Sequence, residues 1–269
     1  MTSGPSCSPV TRLALALLAA AASPAVQGLN PPVPTLVWME DFAKHEPDTA
    51  WLGQGDLIIR ADCGSRGGPC VEANYQPTDR GSNRMVFNRP LPPADAYTLS
   101  YDIYFEPGFE WVRGGKLPGL GPQNPLTGCQ ASEPDRWSMR VMWSTEGRIR
   151  LYGYGQSDAG ICGETMAADD AVRLTTGRYH ALSLYVRLND PDKSNGLAEL
   201  YLDGELVVRR DQLRLRARND ASTDISRFMF ATFHGGSHPS WAPSVPVQAR
   251  FDNFSILSGH HIRRGPGHP

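Results

Sequence analysis

The chain of 269 residues is long enough for one domain with a full hydrophobic core. Its 26 basic and 28 acidic residues give a net charge of −2. This balance argues against nucleic acid as a partner, because nucleic-acid-binding domains carry a clear excess of basic charge. An acidic polymer would need a local basic patch. The 27 glycines and 23 prolines are typical of many turns between short strands.

The first 25 residues predict a secretory signal peptide. Arg12 precedes the apolar run 13–22, and small residues follow at Ser23 and Ala25. This run is too short to span a bilayer. We expect cleavage after Ala25, with Gly28 as the alternative. No later stretch of the sequence is apolar enough to cross a membrane, so we expect a secreted, extracellular monomer that does not bind membranes.

Short runs of alternating polar and apolar residues predict about ten strands. In chain order they lie at residues 36–42, 56–61, 85–87, 97–105, 137–144, 148–155, 179–188, 198–208, 228–233 and 249–257. The segments 117–136 and 156–170 are predicted to be irregular. Residues 259–269, which are polar and rich in Gly, Pro, His and Arg, are predicted to form a flexible tail.

The sequence has no convincing amphipathic helix of three turns and no internal repeat, which predicts an all-β sandwich. The jelly-roll class fits best, because such sheets often bend to present a groove on one concave face. We expect the jelly-roll domain to span residues 29–258 and its concave face to form a substrate cleft.

The stretch 137–155 predicts a central β-hairpin. A two-residue turn at 146–147 would send the arginines of the second strand to the side of the tryptophans. A three-residue turn at 145–147 pairs Arg140 with Tyr152 instead, and makes one face an apolar wall. The other face then carries Met142 and five polar residues, namely Ser138, Arg140, Arg150, Tyr152 and Tyr154. We expect the functional site on that second face.

Four cysteines remain once Cys7 leaves with the signal peptide, and an even number in an exported protein predicts two disulfides. Three pairings are possible. Cys63 and Cys70 close a tight glycine-rich loop, while Cys129 and Cys162 lie beyond the two outer ends of the hairpin and so at the same end. We favour these two pairs. A zinc site is the competing interpretation, but the spacing matches no usual zinc module, so we expect no metal.

Lys116 lies in the segment GGKLPG, where two glycines permit unusual backbone geometry and a proline stiffens the exit. The alternative is a solvated loop lysine. Arg140 can grip a carboxylate in a bidentate way, or merely pair with Asp or Glu. Cations beside tyrosines suit β-elimination on a uronic acid polymer, which needs a base, an acid and a positive group facing the sugar carboxylate. Neighbouring cations would favour the phenolate of a tyrosine, whose reference pKa is near 10.

These residues also carry a resemblance to a known family. The motifs GGKLPGL, WSMRVMW, LYGYG and FATFHGGSHPSWAP resemble those of polysaccharide lyase family 14, over roughly residues 97–257. That family contains secreted or viral jelly-roll lyases acting on alginate and glucuronan. The resemblance implies an active cleft lined by five residues, namely Lys116, Ser138, Arg140, Tyr152 and Tyr154. No metal is strictly required when arginine and lysine serve as the electrophile, so we expect no cofactor.

The resemblance also implies roles for these residues. A tyrosine, preferably Tyr152, and Lys116 would transfer protons, although which is base and which is acid stays open. Arg140 would hold the carboxylate, while Ser138 and Tyr154 would orient the sugar. Related fungal sequences often have a second phenylalanine at the position of His234, so this residue either adds a titrating group that contacts the substrate or is a neutral replacement.

Other functions fit the sequence less well. A glycoside hydrolase of similar architecture would need two carboxylates at a defined separation, and no strand motif supplies them. His234 and His238 lie in a glycine-rich loop rather than on a zincin helix. The main competitor is a non-catalytic carbohydrate-binding protein that holds an acidic glycan. The combined lysine, serine, arginine and tyrosines favour a secreted lyase that leaves a C4–C5 unsaturated uronate end.

Overall fold

Residues 1, 2, 4, 33–43, 49–156 and 161–268 are described by the computed structural model. The chain divides into two units, Met1–Pro32 and Val33–Pro269, and every element given below belongs to the second. Nearly all of the predicted signal peptide lies outside the described residues. Within the described ranges, no helix is long and apolar enough to cross a membrane.

Strands account for most of the regular structure, as their β-branched, aromatic and alternating sequences predict. In chain order they are β1 (Leu36–Glu40), β2 (Leu57–Arg60), β3 (Cys70–Tyr75), β4 (Pro77–Thr78), β5 (Gly81–Ser82), β6 (Met85–Ala94), β7 (Ala96–Phe105), β8 (Gly114–Gly121), β9 (Ser138–Ser144), β10 (Ile149–Tyr154), β11 (Glu164–Ala167), β12 (Tyr179–Arg187), β13 (Gly196–Leu202), β14 (Glu205–Leu213), β15 (Ile225–His234) and β16 (Val247–Ser258). One short helix, α1, spans Thr49–Leu52, and 3-10 turns span Thr145–Gly147 and Pro239–Trp241.

Two large antiparallel sheets form the sandwich. One has the strand order β14-β13-β12-β7-β16-β3-β2, with β1 also paired to β16. The other has the order β11-β10-β9-β8-β15-β6, and β4 pairs with β5 separately. Aromatic side chains join the sheets across the core, for example Tyr75 and Trp143, whose ring centroids lie 6.0 Å apart. The predicted all-β jelly-roll sandwich is confirmed.

The predicted hairpin has the register of the three-residue turn. Arg140 pairs with Tyr152 and Ser138 pairs with Tyr154. The turn Thr145–Gly147 holds Gly147 at φ +74°, a conformation that glycine adopts without a steric penalty. The apolar side of β9 consists of Met139, Val141 and Trp143, which are fully buried together with Trp137 just before the strand. The opposite side of the hairpin is therefore free to carry polar groups.

The irregular segment predicted at 117–136 begins later than expected, because β8 continues to Gly121. The register of β8 shifts between Lys116 and Gly119 against both of its neighbours. This bulge accommodates Pro118, which cannot donate a hydrogen bond within a regular ladder. Strand β11 likewise lies inside the segment predicted to be irregular at 156–170.

The two disulfides join Cys63 to Cys70 and Cys129 to Cys162, as predicted. The C-terminal segment differs from the expected flexible tail, because its side chains dock on the larger sheet. Arg263 is 4% exposed and its guanidinium lies 3.0 Å from the carboxylate of Asp102, which is fully buried. A buried carboxylate needs a cation or donors, and residues far along the chain supply them here.

Candidate active site

A cavity of about 750 Å³ lies on the outer face of the six-stranded sheet. Its lining contains six residues that the sequence proposes for the site, namely Lys116, Arg140, Met142, Arg150, Tyr152 and Tyr154. Strands β8, β9 and β10 supply these side chains, and β15 with β6 forms the opposite side. Among the described residues that line the cavity, none is Asp or Glu. The cavity is therefore cationic.

Close packing of β8 against β9 fixes the position of Lys116. A Cβ atom added to Gly115 would lie 2.0 Å from Cζ2 of Trp143, and one added to Gly119 would lie 2.2 Å from the carbonyl oxygen of Met139. Only glycine permits these approaches. The glycines of the GGKLPG segment thus bring the lysine against Met142, its partner in the sheet register.

The amine of Lys116 is enclosed by an aromatic ring, a thioether and cations. Its Nζ lies 3.6 Å from the centroid of the Tyr152 ring and 2.9 Å from Sδ of Met142. Burial lowers the pKa of Lys116 to about 6, and the positive charges of Arg140, Arg150 and Arg84 act in the same direction. At neutral pH this amine is largely uncharged and has a lone pair available.

Arg140 is 5% exposed and has no carboxylate partner within ion-pair distance among the described residues. Its Nε is buried without a hydrogen-bond partner, and its Cζ lies 6.0 Å from the centroid of the Tyr152 ring. Burial lowers the pKa of Arg140, but a guanidinium keeps its proton in proteins. An unpaired buried charge is costly, so this arginine is prepared for an external anion.

The two tyrosines contact each other and two backbone groups. Their hydroxyl oxygens lie 3.2 Å apart, Tyr152 donates to the carbonyl oxygen of Cys162, and the amide of Cys129 donates to Tyr154 at 3.1 Å. Burial raises the pKa of Tyr152. The sequence argument that neighbouring cations favour the phenolate is therefore wrong for Tyr152, because desolvation outweighs the charge of Arg140.

Two predicted site residues do not line the cavity. Ser138 is fully buried, and its hydroxyl donates to the carbonyl oxygen of Leu126 at 2.7 Å. His234 is also fully buried, stacks on Phe109, and lies 2.7 Å from the carbonyl oxygen of Glu110 through Nε2. Burial lowers the pKa of His234. Strand alternation sends Phe233 into the cavity and His234 into the core, so the side chain of His234 lies outside the cavity where we expected it.

Three further residues line the cavity, namely Arg84, Phe233 and Trp241, and the sequence did not predict them. Arg84 lies over the ring of Phe233, with 4.7 Å between its Cζ and the ring centroid, and Trp241 lies beneath Arg113 at 5.1 Å. Phe233 and Trp241 occur in the FATFHGGSHPSWAP motif, so a signal for them was present. Arg84 had no such signal, because β6 reaches the site only through its long-range pairing with β15.

The fold and this cavity define an enzyme of the polysaccharide lyase class. Residues 74–254 match the family described as Polysaccharide lyase 14, and the chain belongs to that family. The resemblance found in the sequence motifs is thus confirmed. No curated protein matches the sequence.

Solved structures share the fold. A PL-14 alginate lyase from Aplysia kurodai is 24% identical, with a TM-score of 0.66 over 84% of this chain and 100% of that chain. A double mutant of the alginate lyase Aly36B, in complex with alginate tetrasaccharide, is 23% identical, with a TM-score of 0.62 over 72% and 82%. An endo-β-1,4-glucuronan lyase from the fungus Trichoderma reesei is 10% identical, with a TM-score of 0.57 over 87% and 100%.

Proposed function

We propose that this protein is a secreted, monomeric lyase that cleaves alginate or glucuronan by β-elimination and needs no cofactor. One observation carries the proposal: Arg140 is buried without a carboxylate partner among the described residues, in a cavity whose described lining holds cations but no Asp or Glu. A polyuronate supplies one carboxylate per sugar. The family match and the names of the similar alginate and glucuronan lyases support this substrate class.

Arg140 binds the carboxylate of the sugar whose C5 proton is removed. Negative charge spreads from C5 onto that carboxylate in the transition state, and a fixed guanidinium stabilises the charge without reorganising. Arg150, at the rim, is available for a neighbouring uronate. Met142 contributes by holding the amine of Lys116 through its sulfur.

We assign the base and the acid from their opposite pKa shifts, which support different roles for the two groups. Lys116, with a pKa of about 6, takes the C5 proton as a neutral amine. Tyr152, whose pKa is raised, keeps its proton and donates it to O4 of the leaving sugar, which replaces the Cys162 carbonyl as acceptor. The C5–H and C4–O4 bonds break, and the C4–C5 double bond forms. Tyr154 positions Tyr152 through the hydrogen bond between their hydroxyl groups. Ser138 fixes the backbone at Leu126 through a hydrogen bond to its carbonyl oxygen.

The purified protein should be incubated with alginate, with glucuronan, and with an uncharged glucan as control. Growth of the ultraviolet absorbance of the C4–C5 double bond with either acidic polymer is the expected result. Arg140→Gln should lose this activity, because the amide cannot neutralise the carboxylate. Binding of the polymers without new absorbance would instead establish a non-catalytic protein for acidic glycans. Recovery from culture medium of a chain beginning after Ala25 tests secretion.

A further inference from the structure

Each half of the Cys129–Cys162 disulfide contacts one of the two cavity tyrosines. The amide of Cys129 donates to the hydroxyl of Tyr154, and the carbonyl of Cys162 accepts from the hydroxyl of Tyr152. The two hydroxyl oxygens lie 3.2 Å from each other. One covalent link therefore joins the two ends of a short hydrogen-bond chain.

The donors and acceptors of this hydrogen-bond chain can be assigned in only one direction, because each tyrosine hydroxyl carries a single proton. Tyr152 gives its proton to the Cys162 carbonyl, so Tyr154 is the donor between the two hydroxyls. Tyr154 in turn accepts from the Cys129 amide. The order is Cys129 N–H to Tyr154, Tyr154 O–H to Tyr152, and Tyr152 O–H to Cys162. Both hydroxyl protons are thereby oriented before any substrate arrives.

The segment after Cys162 also packs on both rings. Gly163 has φ +75°, and a Cβ atom added to it would lie 3.3 Å from Cζ of Tyr152, 3.3 Å from Cε1 of Tyr154 and 2.7 Å from the carbonyl oxygen of Gly153. The rings themselves meet at 88°, with centroids 5.4 Å apart. The segment continues into β11, which pairs Thr165 with Tyr152, and the disulfide ties its other end to Cys129.

We infer that the Cys129–Cys162 disulfide is a positioning element of the lyase site: it fixes the ring placement and proton direction of Tyr152 and Tyr154. This inference rests on the proposed function for its effect on turnover. When Tyr152 releases its proton to O4, the resulting phenolate keeps the Tyr154 hydroxyl as a donor, which the Cys129 amide supports. We expect the loss of this disulfide to affect kcat more than KM, because it displaces the tyrosine hydroxyls, whereas Arg140 is carried by β9 within the sheet.

The second disulfide provides a matched control. Cys129 and Cys162 are exposed to solvent, whereas Cys63 and Cys70 are 7% and 0% exposed. A dithiol in solution therefore reaches the Cys129–Cys162 disulfide preferentially. Its thiolate attacks one sulfur, and two electrons and two protons pass to the protein. The products are two cysteine thiols and the oxidised cyclic dithiol.

The first test compares two double variants. Cys129→Ala with Cys162→Ala should lower kcat about 100-fold, with KM changed by less than about threefold, since small misplacement of reacting groups has effects of this size. Cys63→Ala with Cys70→Ala should keep kcat within about twofold. A kcat within twofold of wild type for the first variant would overturn the inference. Should that variant not fold, the remaining two tests decide.

The second test uses brief treatment of the Cys63→Ala/Cys70→Ala protein with dithiothreitol, followed by reoxidation. Turnover should fall on reduction and return on reoxidation. An unchanged near-ultraviolet circular dichroism spectrum should show that the reduced protein stays folded. Full activity of this protein after its thiols have been titrated as free would contradict the inference. The Cys129→Ala/Cys162→Ala protein should show no such response.

The third test needs no substrate and so stands apart from the proposed function. Tyrosinate absorbance should be compared at about pH 10.5, just above the ordinary tyrosine pKa. Breaking the Cys129–Cys162 link should uncover Tyr152 and add about one ionised tyrosine at that pH. Tyr152→Phe in the same background should remove the increment. An unchanged titration would overturn the positioning role, whereas a wild-type protein inactive on every polyuronate would overturn only the proposed function.

Discussion

The amine of Lys116 lies 3.6 Å from the centroid of the Tyr152 ring, so the proposed base and acid touch each other. An ammonium group would gain from the face of an aromatic ring, but burial and three arginines oppose its charge. The same arginines attract an anionic polymer. One set of charges therefore serves two purposes, because it recruits the substrate and keeps the lysine deprotonated at neutral pH.

The pH dependence of kcat/KM should reflect this arrangement. Lys116 must be neutral to accept a proton, so kcat/KM should rise with pH through about 6 and then level off while Tyr152 stays protonated. Binding of a uronate beside Arg140 offsets part of the positive field, so the rise of kcat should occur at higher pH than that of kcat/KM. Initial rates across a pH series measure both. A profile that is flat or has an acid optimum would contradict the assignment of Lys116 as base.

Removal of one hydroxyl tests the proposed acid. Tyr152→Phe keeps the ring against Lys116 but cannot protonate O4, so kcat should fall about 10²- to 10⁴-fold with little change in KM. Tyr104→Phe is the matched control, since Tyr104 lies on the other sheet beside Arg250 and Tyr179, and it should retain activity. Turnover of Tyr152→Phe at the wild-type rate would show that another group protonates the leaving oxygen.

Replacement of Lys116 by methionine should abolish turnover and stabilise the fold. The amine has a pKa of 10.5 in the unfolded chain and about 6 in the folded protein. Between these pH values the unfolded chain binds the extra proton, so this group lowers stability, and the loss shrinks as the pH rises. At about 1.4 kcal/mol per pKa unit, discounted for partial exposure, the gain in unfolding free energy should be about 2–4 kcal/mol at pH 7. At pH 10 it should fall below about 1 kcal/mol.

Lys193 supplies the control for that measurement. Its side chain is 68% exposed and pairs with Asp190 at 2.9 Å, so Lys193→Met should change the free energy of unfolding by less than about 0.5 kcal/mol at either pH. Urea unfolding of both variants at pH 7 and pH 10 gives the comparison. Destabilisation by Lys116→Met at pH 7 would mean that the folded protein tolerates the charged amine better than its surroundings suggest.

Local rules predicted part of this site, and their limits are visible in individual residues. The pairing of Arg140 with Tyr152 followed from side-chain alternation and turn length, both of which act over a few residues. The placement of His234 was also within reach, because alternation puts it on the face of Phe228 and Phe230, which are fully buried. The expected contact with the substrate followed from the motif, which does not specify the face of the strand on which each residue lies.

Other features depend on contacts that no short stretch of sequence contains. Arg84 enters the cavity because β6 pairs with β15, more than a hundred residues later. Arg263 neutralises Asp102 from 161 residues away, which is why a polar, glycine-rich tail docks instead of fraying. The lowered pKa of Lys116 likewise depends on burial and on three arginines that lie in three different strands or loops. Composition indicates none of these long-range relationships.

Substitution of one glycine should disturb the lysine without touching it. A Cβ atom at Gly115 would lie 2.0 Å from Cζ2 of Trp143 and 2.4 Å from the carbonyl oxygen of Phe233. The Trp143 ring is fully buried, and the backbone of Phe233 is paired in the sheet. Gly115→Ala should therefore lower the free energy of unfolding by about 1–3 kcal/mol through overpacking. The shift of Lys116 should also lower kcat about tenfold or more. Gly68→Ala, with nothing within 4 Å of the added atom, should change neither. Wild-type kcat in folded Gly115→Ala would show that the site does not require the close approach of β8 to β9.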